Sequence, residues 1–263
     1  MKVKIHNKEF EIPNSKTLVE ELPLPEFFYD ICWEERIMFV AVNKKYSHIA
    51  KRLKEVSHIY LSLFDIIRTG RYNLSMACVE KYCDICKVDH EEDDWIRLQY
   101  IGNSLMWYNA SFDIVLQAIY LYYGLFNCNK KFNYKFGTEN VDRILKYCRW
   151  DEIKNNNDII NQDLYGMLLE LKEKRDILND WTIKFKHRGN LLKCNDGENF
   201  YFKVTRSGNV VNVEENGVIY DSSQTQKYIP IDDVIVSLVE YHIKLIDFIK
   251  DMSVIFRLIK RDQ

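Results

Sequence analysis

Apolar residues recur at steps of three and four along most of this chain. The longest run is Trp95, Leu98, Ile101, Leu105, Tyr108, Phe112, Val115, Ile119, Tyr122 and Phe126. It predicts one helix of roughly 45–50 Å at ~1.5 Å per residue, with Asp93 and Asp94 favourable near its N-terminus. Upstream, Ile49, Leu53, Val56, Tyr60, Leu63 and Ile67 predict a helix from Ser47 to about Arg68. Gly70 is expected to stop it, and a shorter piece from Leu74 to Lys87 follows. Downstream, Ile160, Leu164, Met167, Leu171, Leu178, Trp181 and Phe185 keep the same rhythm, interrupted where Lys174 takes an apolar slot beside Arg175. The last run, from Ile231 through Ile235, Leu238, His242, Leu245, Ile249, Met252 and Phe256 to Ile259, follows Pro230, and Asp232 or Asp233 is its expected N-cap.

The period changes in three places. Val3, Ile5, Phe10 and Ile12 alternate around His6-Asn7-Lys8, the pattern of a short hairpin. Pro13, Pro23 and Pro25 mark a non-helical lead-in, after which the loose helical spacing of Phe27, Ile31, Glu34 and Met38 favours a further helix up to Val42, with a buried strand over Ile37–Val42 as the alternative. Phe200–Val204, Val210–Val213 and Val218–Tyr220 are apolar pieces separated by Ser207-Gly208-Asn209 and Asn216-Gly217, which is hairpin turn chemistry. A helix as long as the one from Trp95 needs long neighbours. The expectation is therefore a mainly α protein, an up-and-down bundle of long helices. It carries an N-terminal β-hairpin over residues 1–13, one helical domain over 26–260, and a β insertion at about 198–222 before the last helix.

Composition narrows the partners. A net charge of −2 does not announce nucleic acid, so any such binding must use a local patch. Only 9 Gly and 4 Pro argue for long uninterrupted helices. The 7 cysteines are an odd number with no signal-type segment before them, and no run reaches the ~18 apolar residues of a membrane span. A cytoplasmic protein with reduced thiols and no membrane role is expected.

Several candidate chemistries can be weighed. Cys78, Cys83, Cys86 and His90 have some of the spacing of a zinc site, but no second Cys-x2-Cys pair exists, and packing is the better reading. His48 and His58 are ten residues apart, too far for two ligands on one helix face, and His242 lies on an apolar face as a core histidine. No phosphate loop, dinucleotide fingerprint or serine-hydrolase elbow occurs, so no cofactor is expected. Asn109, Asp113 and Gln117 form a polar row at steps of four. It is either a solvent-facing or inter-helix row, or a second shell for a basic site across the bundle.

That basic site is the end of the helix that carries Arg175. Asp180, Lys184 and His187 share a face there, and the helix closes on Lys186-His187-Arg188 before Gly189. These charges suit an ion-paired face and a helix C-terminus. They also suit RNA chemistry: two flanking cations favour a neutral His187 that acts as a base, and Arg188 can hold a phosphate bidentately.

The run Trp107-Tyr108-Asn109-Ala110-Ser111-Phe112-Asp113-x3-Gln117-x2-Tyr120, followed by Asn179-x6-Lys186-His187-Arg188-Gly189, resembles the HEPN superfamily (higher eukaryotes and prokaryotes nucleotide-binding), in its uncharacterised bacterial branches. The resemblance covers roughly residues 26–190 and 230–260. It implies a helical bundle, often a homodimer, with helix ends meeting in a shared cleft. It also implies a metal-independent endoribonuclease of toxin–antitoxin or antiviral systems, partnered by RNA and by an antitoxin or other protein. On that resemblance His187 is the catalytic residue carried over, Asn179 matches the polar residue that accompanies the family's arginine, and Arg188 stands in for that arginine. The site read here adds Lys184 and Lys186 as RNA-binding residues and Asp113 and Gln117 behind them. The family's arginine stands four to six residues before its histidine, whereas Arg175 stands twelve before His187 and is read as structural. The competing expectation is a non-catalytic helical module that binds a nucleotide or a protein and dimerises.

Overall fold

The computed structural model describes residues 2–5, 8–11, 22, 47–79, 82, 90–128, 141–188, 192–193, 213–214, 217–218 and 229–256. The protein is mainly α. Four long helices dominate: α1 (Ser47–Ala77), α2 (His90–Tyr123), α5 (Gln162–Arg188) and α6 (Ile231–Ile255). Two short helices, α3 (Val141–Leu145) and α4 (Trp150–Asn155), lie between α2 and α5. Short extended stretches pair in twos. β1 (Lys2–Ile5) runs antiparallel to β2 (Lys8–Glu11) with Lys2 opposite Glu11, and β4 (Val213–Glu214) antiparallel to β5 (Gly217–Val218). β3 (Leu192–Lys193) pairs in parallel with β6 (Ile229–Pro230), next to the ends of α5 and α6. The helix expected over Phe27–Val42 and the strand expected over Phe200–Val204 lie outside the described residues.

The periodic residues of α2 are its buried ones: Leu98, Ile101, Leu105, Tyr108, Phe112, Val115 and Ile119. Leu116, Ala118, Tyr120 and Leu121 are buried as well. A helix apolar on so much of its circumference has to sit among the others, and α2 packs against α1, α5 and α6. Trp95, expected to open the stripe, is instead 60% exposed. The helix stops at Gly124, whose φ of 68° lies in the left-handed region that glycine enters without steric cost. A 3₁₀ turn, Leu125–Cys128, then buries Leu125 and Phe126.

Gly70 does not end α1, which continues to Ala77 and absorbs the beginning of the second piece expected from Leu74. The glycine is there for closeness. A Cβ at position 70 would meet the Tyr108 ring at 3.2–3.3 Å, and the Gly70 carbonyl accepts a 3.1 Å hydrogen bond from Ser104 Oγ. The C-terminal end of α1 is met by Arg97, whose Nε donates to the Ala77 carbonyl at 2.9 Å. At the other side of α1, Arg71 Nε donates to the Leu22 carbonyl at 2.9 Å, and Leu22 is buried with the core.

Helix α5 is capped by Asn161, whose side-chain oxygen accepts from the Leu164 amide at 3.0 Å. Helix α6 begins at Ile231, so Asp232 and Asp233, the expected caps, fall inside its first turn. Contacts between helices run in opposite chain directions along α1–α2 (Gly70 with Ser104, Ala77 with Arg97), along α2–α5 (Asp113 with Arg175, Leu105 with Thr182) and along α5–α6 (Glu170 with Lys244, Lys174 with Glu240). They run in the same direction along α2–α6, from Tyr108 with His242 to Tyr122 with Phe256. Among the described residues, no helix is long and apolar enough to cross a membrane.

Candidate functional site

The last turns of α5 are held on α2 by side chains of the apolar run. Leu178 is fully buried. Thr182 Oγ1 donates to the Leu178 carbonyl one turn back at 2.7 Å and lies 3.4 Å from the Leu105 carbonyl of α2. Phe185 lays its ring against the bare backbone of Gly102, so close that a Cβ on that glycine would stand 1.9 Å from Phe185 Cζ. This contact anchors the stretch that holds Lys184 just before Phe185 and Lys186, His187 and Arg188 just after it.

Lys184 is half-buried and pairs with Asp180 one turn earlier at 2.5 Å, the i,i+4 arrangement expected from spacing. Lys186 is exposed and Asn179 half-buried. His187 and Arg188 are the last two residues of α5, and their side chains lie outside the described residues. Because α5 is unbroken, Asn179 and His187 are eight residues, or about 12 Å, apart along its axis. The two positions therefore lie more than two helical turns apart within one chain.

The polar row on α2 faces a different part of α5. Asp113 Oδ1 accepts from Arg175 Nη2 at 3.4 Å, and Arg175 Nη1 stands 3.6 Å from Asp176 Oδ1. The Arg175 guanidinium also covers the Phe112 ring at 5.4 Å from its centroid. Trp150 of α4 stacks beside Tyr165 and packs against Phe112, and Lys172, which pairs with Asp176, stands 5.3 Å from the Trp150 centroid. Arg175 thus joins α5 to α2, and Trp150 of α4 packs on Phe112 beside this contact. Asp113 is about twelve residues of helix from the end that carries His187, so within one chain it serves Arg175; Gln117, one turn farther along α2, is half-buried.

This seam holds polar groups at a cost. Asn109 Oδ1 and Arg175 Nε are both buried without a hydrogen-bond partner, and such an atom costs about 1–3 kcal/mol. Burial pushes the Asp113 carboxyl above the usual carboxylate range, and the Arg175 charge opposes that shift. The Cys148 thiol is pushed up to about 12, first by burial and then by Asp113 and Glu152. A thiol so disposed stays protonated at neutral pH and is no nucleophile.

The sign for Asp113 follows from linkage. Its folded-state proton affinity is raised, so it contributes stability when protonated, and that contribution is lost as pH rises through the folded value. As pH rises above about 4, the urea midpoint of Asp113→Asn should therefore gain on that of the wild type. More than half of the Asp113 side chain is open to solvent, so the effect is small. An unchanged slope in the variant would contradict the assignment.

Other candidates are placed simply. His242 is fully buried and its Nδ1 lies 2.7 Å from the Tyr108 hydroxyl, the satisfied core histidine expected from its face. His58 is exposed. Cys78 is buried with the core, while the side chains of Cys83, Cys86, His90 and His48 lie outside the described residues. Among the described residues no group of three His, Cys, Asp or Glu could hold a metal. Sequence reasoning missed the Asp113–Arg175 contact, although both are charged residues interrupting apolar helical runs. They are 62 positions apart, and only the register of α5 on α2 pairs them.

No protein-family model, curated protein or solved structure matches this chain.

Proposed function

We propose that the chain is a HEPN-like, RNA-directed protein whose working end is the last turns of α5, acting as a metal-independent endoribonuclease of a bacterial toxin–antitoxin or antiviral system. One observation supports this reading above the others. Helix α5 runs unbroken to Arg188 while Thr182 and Phe185 tie its last turns to α2, so the backbone of Lys186-His187-Arg188 is set at one anchored helix end.

In this reading His187 removes the proton of a ribose 2′-hydroxyl, and that oxygen attacks the adjacent phosphorus with loss of the 5′-oxygen of the next nucleotide. Arg188 and Lys186 stabilise the charge that gathers on the phosphoryl oxygens, and Lys184 holds the RNA backbone. The nucleophile belongs to the substrate, so the mechanism needs no metal. Asn179 and His187 lie more than two helical turns apart in one chain. In a homodimer with facing helix ends, Asn179 of one copy would serve His187 of the other.

The finer architecture belongs to the same proposal: an up-and-down bundle in a cytoplasmic protein, with a hairpin over residues 1–13 and a β insertion at about 198–222. The opposed directions of the inter-helix contacts and the short ladders β1–β2 and β4–β5 support it.

The test is cleavage of mixed RNA in EDTA by wild-type protein and by His187→Ala. The wild type should cut and the variant should lose at least tenfold in rate. Equal cutting by both, or none by either at high concentration, removes the ribonuclease.

A second reading, a non-catalytic helical module that binds a nucleotide or protein and dimerises, is favoured by one observation. Arg175, about 18 Å along the helix from His187, is engaged with Asp113 rather than directed to the helix end. Under that reading His187→Ala leaves RNA or partner binding unchanged, and Arg188→Glu abolishes it.

A further inference from the structure

Helix α5 has a second face, turned away from the core. Gly166, Leu169, Glu173, Ile177, Asp180 and Lys184 follow one another at steps of three and four, so they share one side of the helix. The buried Leu168, Leu171, Leu178 and Thr182 hold the opposite side on the bundle. All of the outward six except Lys184 are exposed, and so are Asp176 and Ile183 beside the row. Leu169, Ile177 and Ile183 are 40%, 48% and 49% exposed. Three large aliphatic side chains thus stand in water within about 21 Å of one helix. Singly scattered apolar residues are ordinary on a surface, whereas a row of them rimmed by charge marks a place where another protein binds.

Gly166 is an independent observation on the same face. Gly70 and Gly102, also inside long helices, each receive an aromatic ring of a neighbouring helix where their side chain is missing. Gly166 receives nothing, since a Cβ there would meet no atom within 4 Å. Glycine weakens a helix interior, and no packing among the described residues makes use of this one. It leaves a bare strip of backbone on the outward face, where another chain can come close.

The charges say what kind of chain that is. Glu173, Asp176 and Asp180 stand among the aliphatic residues and only Lys184 answers them within the row, so the face is acidic. Asp176 pairs with Lys172 and Asp180 with Lys184, while Glu173 has no ion-pair partner among the described residues. A second copy of this chain is a poor occupant. Laid parallel, every carboxylate would meet its own copy, and antiparallel about Ile177 would bring Glu173 beside Asp180 of the other copy. A chain with basic residues beside an apolar stripe fits instead.

We propose that the outward face of α5 docks a basic amphipathic helix of another protein. Leu169, Ile177 and Ile183 meet its apolar stripe, Glu173, Asp176 and Asp180 meet its lysines or arginines, and the two helices approach most closely at Gly166. Neither reading of the end of α5 requires this surface, and its test does not measure RNA cleavage.

The experiment uses the full chain and a fluorescent synthetic peptide of about 20 residues, with leucine along one helical face and lysine on both sides of it. The controls are the same residues in scrambled order and the same pattern with glutamate for lysine. Wild type should bind the first peptide and neither control. Ile177→Gln and Gly166→Gln leave the charge of the face as it is. Each should weaken binding at least ~5-fold, the first by removing apolar contact and the second by filling the close approach. Gly166→Gln should at the same time raise the melting temperature by about 2–4 °C, because glutamine favours the helix and meets no neighbour. Ile177→Gln should leave it unchanged. Weaker binding by a more stable protein is not something that damage to the fold produces. No binding, equal binding of the scrambled peptide, or undiminished binding by both variants would overturn the docking surface. Melting temperatures lowered by several degrees in both variants would overturn it too, by placing another segment of this chain on the face. So would a dimer in sedimentation that Ile177→Gln disperses, which would give the face to a second copy.

Discussion

Truncating Tyr108 to alanine should lower the free energy of unfolding by about 3–5 kcal/mol, the range for removing a large aromatic side chain from a core. The reason is the number of things this ring does at once. It fills the space over Gly70, meets Tyr241 and His242 edge to face, and supplies the hydrogen bond to His242 Nδ1. Helices α1, α2 and α6 would all face the resulting cavity, and none can close it without moving away from the others. The lighter substitution Tyr108→Phe keeps the packing and removes only the hydroxyl. It should cost about 1–3 kcal/mol, the penalty for a buried acceptor left unmatched. Urea unfolding at constant m-value separates the two variants. A cost below about 1 kcal/mol for Tyr108→Ala would mean that this residue does not organise the core.

The second large effect is expected at Gly102. A leucine there cannot coexist with Phe185 in its place, since even a Cβ would stand 1.9 to 2.5 Å from atoms of the ring. Overpacking of this kind costs about 1–3 kcal/mol. The helix gains up to about 1 kcal/mol from losing a glycine, so packing decides the sign and the variant is destabilised. The easiest relief is for Phe185 to swing out, because the clashing atoms are the far end of its side chain. The double variant Gly102→Leu/Phe185→Ala should then recover part of the loss, with a coupling of about 0.5–3 kcal/mol in a double-mutant cycle. Strict additivity would mean that the ring and the glycine do not touch in solution. Under the ribonuclease proposal, and because Phe185 directly precedes Lys186, Gly102→Leu alone should also weaken RNA cleavage more than it weakens overall stability. That comparison tests whether the last turns of α5 need their anchor.

Gly70 and Gly102 show why two features of the chain could not be read ahead of the structure. Glycine is a helix terminator in isolation, and the local pattern around Gly70 supports a stop. Both glycines instead lie inside long helices, where an aromatic ring from a neighbouring helix uses the missing side chain. Gly124, in contrast, does end a helix, with the positive φ that role requires. The three are chemically identical, and the difference lies in what another helix brings to them.

Arg175 carries the same lesson for the site. Its distance from His187 set it apart in sequence, and the unbroken helix keeps them apart. What the spacing did not reveal is its contact with Asp113, or that burial leaves its Nε without a partner.

By itself the sequence determined that the chain is mainly α, and it located the stretches of α2, α5 and α6. Water drives apolar residues to one side at the helical period, and this works through near neighbours alone. It also marked His242 as a core residue by its face. Only the tertiary structure decided the register of α2 against α5, and with it the pairing of Asp113 with Arg175 and of Gly102 with Phe185. It likewise decided the meeting of Tyr108 with His242, 134 residues away. Those contacts depend on how whole helices slide and turn against each other. Many side chains settle that together, and no single stretch of sequence records it.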